Sequence, residues 1–331
     1  MPGFTTHYIF GMKAYNDMPF TPLKHTIAKY RWLYQLGLQG PDMFFYNIPI
    51  LRHRDYRNVG SYMHEHKVNA FFECCLRRIG TIRSRQQQEE AISYLAGFIN
   101  HYIADSICHP YVYGRIGYPV DAPTSMHHGM HAHLENELDA ILLWKYKKKK
   151  PSEFNQTATI CLNGQEIQFI SHFLASCINE TYYPITYRNN FQVTPAMVHR
   201  SIWALRFGCR TLSDKNGKKK FGIAQVESIF VNHPVASAKM VTDSVTDYRS
   251  SCNLNHEAWG NPWDPTRVST ASFVDLFHET LDKCSRVYAL LNSAVTDNMP
   301  LDKQDLSPLL AELGNESYHS GVKTRTSVPG K

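Results

Sequence analysis

The stretch AISYLAGFINHYIADSICHPYVYG, residues 91–114, decides the architecture. From Ala91 to Ala104 it contains no Lys, Arg, Asp or Glu. A helix that is apolar nearly all round is a buried helix. This one is therefore expected at the centre of the molecule, with other elements wrapped round it. Yet His101 and Asp105 lie at i and i+4, on a single face. Burying an unpaired carboxylate is very costly, so Asp105 demands a partner. An arginine or a ring of backbone N–H groups would serve, and so would a metal ion.

Working outward, apolar residues recur with helical spacing near 7–17, 22–38, 60–79, 87–107, 127–147, 168–182, 194–213 and 271–293. The strand signal is ATICLNGQEIQF, two short alternating runs around Asn163-Gly164, a dipeptide suited to a hairpin turn. The expectation is an all-α, multi-helix domain over residues 1–300, with a β-hairpin near 158–169. Residues 301–331 thin out into polar sequence and read as a poorly ordered tail.

Composition narrows the class. The chain has 331 residues, 43% of them hydrophobic and 19% charged, which fits a folded globular protein. Its net charge of +6 is too mild to demand a nucleic acid. The eight cysteines form no CxxC pair, and a chain of this size needs no disulfide staples. No basic segment followed by an apolar one opens the sequence, and the run 32–51 is broken by Gly40, Pro41 and Asp42. A cytoplasmic protein with reduced thiols and no transmembrane segment is expected. The run KYKKKK, 145–150, suits a solvated helix end, with peripheral contact to an anionic membrane surface as the functional alternative.

Other residues repeat the problem posed by Asp105. Asp42 is the only charged residue between Arg31 and Arg52, and it follows a Gly-Pro break. Apart from the phenol of Tyr8, His7 is the only ionisable side chain before Lys13. His64 and His66 open an apolar helix, and His109 follows Asp105 by one turn. The helix HHGMHAHLENELDAILL offers His131 and Glu135 at i and i+4, and equally His133 and Glu137. Such pairs aim two ligands at one point from a rigid scaffold. Together these N and O donors suffice for two or three zinc ions at about four ligands each. HExxH is absent, which argues against a zincin, and so are a His-Asp dipeptide and a P-loop.

The ordered set TTHYIFG, QGPDMFFYN, GSYMHEHKVNAFF, YLAGFINHYIADSICHPYV and HAHLENELDAIL resembles the zinc-dependent phospholipase C family, specifically a cytoplasmic, clostridial-type branch of it. A weaker echo, NHEAWGNPWDP to SFVDLFHETLDKCS, extends the likeness to about residue 293. The resemblance implies an all-α domain holding up to three zinc ions, and attack on a phosphodiester by a zinc-bound hydroxide. It carries the ligand role to His7, Asp42, His64, His101, Asp105, His109, His131 and Glu135. Asp42 would bridge metals and act as general base.

The implied substrate is a phospholipid or small phosphodiester. The fungal single-strand nucleases share the cluster and supply an alternative, and a non-catalytic metal-binding protein is another. The sequence departs from the secreted phospholipases in three ways. His109 stands four residues after Asp105 rather than six. Asp42 and His64 are further apart, which leaves His53 and His66 as substitutes. The N-terminal tryptophan ligand is missing, with the amine of Pro2 as candidate replacement. Trp259 and Trp263 are expected to pack on the core, with a lipid-facing cleft as the alternative.

Overall fold

The computed structural model describes residues 3–46, 59–182, 192–212, 214, 216–230, 237–245 and 247–324. In chain order, α1 (Phe4–Asp17), α2 (Pro22–Lys29) and α3 (Arg31–Gly37) lead into a 3-10 turn, Gly40–Tyr46. There follow α4 (Val59–Glu65), α5 (Val68–Thr81), α6 (Arg85–Arg115) and α7 (Ser125–Lys147). The second half holds α8 (Gly164–Tyr182), α9 (Pro195–Thr211), α10 (Lys218–Phe230) and α11 (Tyr248–Ser251). A hairpin of β1 (Trp259–Asn261) and β2 (Asp264–Ser269) precedes α12 (Phe273–Thr296) and α13 (Ser307–Leu313). The fold is all-α with one small antiparallel pair.

The apolar stretch does become the central helix. Helix α6 runs for 31 residues and buries most of its side chains, among them Phe98, Ile99, Tyr102 and Ile103. It continues through Pro110, past the expected end at 107. The expected helix over 22–38 is broken at Tyr30, whose φ of −114° and ψ of 42° leave the helical region. No Pro or Gly between 23 and 36 marks that break. Its partner is tertiary: the Tyr30 carbonyl accepts a hydrogen bond from Ser93 Oγ of α6 at 3.0 Å. The bend lays α3 on α6 at a glycine crossing. A Cβ on Gly37 would lie 2.1 Å from the Tyr94 carbonyl oxygen, and one on Gly97 would lie 2.1 Å from that of Tyr34.

The hairpin expected over 158–169 is not there. Asn163 instead begins α8: its side chain accepts from Glu166 N at 2.9 Å, while its own N–H donates to Glu166 Oε2 at 2.8 Å. This reciprocal capping outcompetes the turn preference of Asn-Gly. Residues 301–324, expected within a poorly ordered tail, are packed. Leu301, Leu306, Leu309, Leu313 and Tyr318 are buried in the main core. Residues 325–331 lie outside the described residues.

The α3–α6 crossing sets the spacing of everything that follows Gly37 and Gly97. A Gly97→Ala variant should lose about 2 kcal/mol or more through overpacking against backbone. Thermal unfolding should show a melting temperature lower by several degrees, and an unchanged value would mean that the helices can separate at no cost.

Candidate metal centre

Five elements bring the eight expected residues together. Helix α1 carries His7, and its first turn is anchored by Asp139 of α7, which accepts from Thr5 N at 3.1 Å and Thr6 N at 2.7 Å. The 3-10 turn carries Asp42. It begins at Gly40, whose φ of +47° suits glycine and whose Cβ would strike the His101 ring at 2.2 Å. Helix α4 supplies His64. Successive turns of α6 supply His101, Asp105 and His109, and α7 supplies His131 and Glu135. His7, His64, His101, Asp105 and His109 have no exposed surface, and Asp42 and Glu135 are buried as well.

Two groups have ligand geometry. His7, Asp42, His101 and Asp105 each offer an atom within 4.8 Å of the others, and so do His109, His131 and Glu135. His64 joins the first group, with Nε2 3.2 Å from Asp42 Oδ1 and 3.7 Å from Asp105 Oδ2. Asp105 lies at the middle. Its Oδ1 is 3.1 Å from His7 Nε2 and 3.6 Å from His109 Nδ1, and its Oδ2 is 3.2 Å from His101 Nε2. Asp42 was expected to be the bridging carboxylate. It faces His64 and, at 3.8 Å, His101, whereas Asp105 reaches the rings of His7, His64, His101 and His109.

Hydrogen bonds fix which nitrogen faces inward. His64 Nδ1 donates to the Gly60 carbonyl at 2.6 Å, His101 Nδ1 to that of Leu38 at 3.1 Å, and His109 Nδ1 to that of Tyr318 at 2.8 Å. A carbonyl only accepts, so each of these nitrogens carries a proton. The Nε2 atoms of all three rings are buried without a hydrogen bond, and so are Asp105 Oδ1 and Oδ2 and Asp42 Oδ1. Each Nε2 therefore faces a carboxylate oxygen with no hydrogen bond between them, an arrangement made favourable by a proton on the ring or by a metal ion held between the two. Separations of 3.1–3.2 Å match the edge of a tetrahedral zinc site, about 3.3 Å for ligand bonds near 2.0–2.1 Å.

Charge leads to the same place. Burial holds His109 and His131 well below the usual imidazole range, and burial with the neighbouring His101 lowers His7. Neutral imidazole is the ligand form. On His101 burial opposes the charge, but Asp105 and Asp42 outweigh it and raise its pKa. On Asp105 burial also opposes the charge, yet His109, His101 and His7 outweigh it and hold the carboxyl well below its usual range. Burial pushes Glu135 well up, reinforced by Asp105, Asp42 and Asp139. Among the described residues no lysine or arginine pairs with Asp42 or Asp105. The donor set of imidazoles and carboxylates fits zinc.

The open alternatives separate in space. His131 Nε2 lies 2.6 Å from Glu135 Oε1 and the ring faces that of His109, while His133 is 47% exposed. Glu137 is engaged elsewhere, accepting from Ser251 Oγ. His66 turns away to stack on Tyr62. His53 and Pro2 lie outside the described residues. His109 reaches the second group despite its short spacing from Asp105, with Nε2 3.5 Å from Glu135 Oε1. Trp259 packs as expected, its Nε1 donating to the Ala271 carbonyl and its ring edge-on to Tyr111. Trp263 instead stands with Tyr118 and Tyr113 in an aromatic wall that ends on His131. Sequence reasoning missed Tyr318 and His319. The first supplies its carbonyl to His109, and the second stacks on His64.

A family model described as zinc-dependent phospholipase C matches residues 6–186, more than half of the 331-residue chain and inclusive of all eight site residues. No curated protein and no solved structure matches the chain significantly.

The geometry separates two adjacent histidine pairs. His131→Ala should lower the zinc bound per chain, and His133→Ala should leave it unchanged, as read by elemental analysis of dialysed protein. The opposite pattern would move the second group to His133 and Glu137.

Proposed function

The chain belongs to the zinc-dependent phospholipase C family, and on that premise we propose that it is a zinc-dependent phosphoric-ester hydrolase cleaving a phosphodiester in the manner of a phospholipase C. The observation that carries this reading is the convergence of bare imidazole nitrogens and carboxylate oxygens in a buried cluster with no cationic side chain among its described partners. Zinc bound there supplies a Lewis acid that makes water nucleophilic at neutral pH and offsets charge on phosphoryl oxygens.

The residues have distinct parts. His7, His64, His101 and Asp105 would hold a metal in the first group, and His109, His131 and Glu135 in the second. Asp42 is the carboxylate of the first group set off from Asp105, on the 3-10 turn and facing His64. It accepts the proton of the attacking water. Carbonyls of Gly60, Leu38 and Tyr318 keep three rings turned inward.

A lipid substrate is supported by a cavity of about 780 Å³ that shares Glu135 with the centre and is lined by Phe4, Phe45, Trp203 and Phe207. Such a cavity suits the glyceride portion of a phospholipid. The lysines at 145 and 147–150 lie beside Trp144, which is 56% exposed, a pairing that favours peripheral contact with an anionic membrane surface. No helix among the described residues is long and apolar enough to cross a membrane. The wall of Trp263 and Tyr118 favours a second reading, a single-strand phosphodiesterase that stacks bases there.

Asp42→Asn keeps the size of the side chain and one oxygen but removes the base. Hydrolysis of a chromogenic choline phosphodiester and of a short-chain phospholipid should fall about 100-fold or more in the folded, zinc-loaded variant. Equal activity would displace Asp42 from the chemistry, and faster cleavage of a single-stranded oligonucleotide by the wild type would favour the second reading. An inactive zinc-loaded wild type would favour a non-catalytic metal-binding protein. Chelation should also lower the melting temperature by several degrees, and added zinc should restore it, because the assembled native ligand set binds zinc more tightly than the unfolded chain does.

A further inference from the structure

We propose that residues 315–321 form a strap that is a working part of the metal centre, setting zinc occupancy at His109, His131 and Glu135 by fixing the ring of His109. The proposal rests on the zinc reading of the centre. It concerns a segment well outside the stretch matched by the family model, which ends at residue 186.

The rings of the centre are not held alike. His64 is oriented by Gly60, one turn back on its own helix, and His101 by Leu38, beside the glycine crossing. His109 is oriented by Tyr318, 209 residues away in sequence. The same residue ties the strap to α4, its N–H donating to the His64 carbonyl at 2.9 Å. Its ring is fully buried against His64 and Tyr102. One peptide segment therefore packs its rings on His64 and His101 but gives a hydrogen-bond acceptor to the ring nitrogen of His109 alone among the three.

The strap is seated by features that read as a matched pair. Pro110 has no N–H to offer the Ser106 carbonyl, so α6 lacks one helical bond there. Gly321 packs into that place. Its φ is +60°, and a Cβ would sit 2.7 Å from Ser106 O and 2.9 Å from Pro110 Cγ. From the other side, Asn261 Nδ2 donates to the Ser320 carbonyl at 2.7 Å and Arg267 to that of Gly321 at 3.1 Å. The β-hairpin thus holds the strap down on α6, and through it the ring of His109.

The test uses the full chain and zinc alone, titrated against a chromophoric chelator. Asn261→Ala removes the bond to Ser320, together with the one from Trp263 N to Asn261 Oδ1, without changing a candidate ligand, and Gly321→Ala forces the strap off α6. Both should weaken one class of zinc site about 10–100-fold, the range for losing an outer-shell partner. The remaining zinc should keep wild-type affinity, and circular dichroism should be unchanged. In metal-free protein, the slowly exchanging Nδ1 proton of His109 should disappear from the NMR spectrum of both variants. Wild-type zinc binding and a retained His109 signal in a folded Asn261→Ala variant, with Gly321→Ala either the same or unfolded, would overturn the strap. A wild type that binds no zinc would overturn the reading of the centre and the strap with it.

Discussion

Asp105 has a carboxylate with no exposed surface, set in the middle of a helix whose neighbouring turns are apolar. Nothing cationic on the described side chains reaches it, and four imidazoles do. Much of the architecture follows from making that position tolerable. Helix α1 brings His7 under the restraint of Asp139, and the 3-10 turn brings Asp42 past a glycine that clears the His101 ring. Helix α4 is placed so that His64 reaches both aspartates. An apolar residue at 105 would remove the cost of the buried charge, and it would also remove the carboxylate round which His7, His64 and His101 converge. The buried carboxylate stands where the proposed metal centre would use negative charge, a common reason for burying one.

The site was legible in the sequence because its residues are chemically out of place. A charged or titratable side chain inside an apolar run has few explanations, and His7, Asp42, His101 and Asp105 each stand in such a run. The i, i+4 spacing of His101 with Asp105 and of His131 with Glu135 survives folding because helix geometry is local. The choice between His131 and His133 was not local. Both pairs have the same spacing, and only the way α7 faces α6 separates them.

The misread elements share a cause. Tyr30 breaks a helix without Pro or Gly because α6 offers a tertiary partner that no window of sequence around Tyr30 contains. Asn163-Gly164 carries a turn signal and a capping signal at once, and Glu166 decides in favour of the helix. The segment after 301 reads as polar although Leu306, Leu309 and Leu313 keep helical spacing, because the helix they mark, Ser307–Leu313, is only seven residues long and is set in polar sequence. Pro308 in the first turn of α13 was the local sign of order there.

The hydrogen bond from His109 to Tyr318 also bears on the order of assembly. It closes a loop of 209 residues, and such closures come late because the entropy of bringing distant segments together is lost before any contact offsets it. The pairs within α6 and α7 need only a helical turn each. A folding chain therefore presents two-ligand fragments of the centre long before the complete set exists. A cation captured by one fragment would draw the others toward it, so metal present during folding would favour the native arrangement.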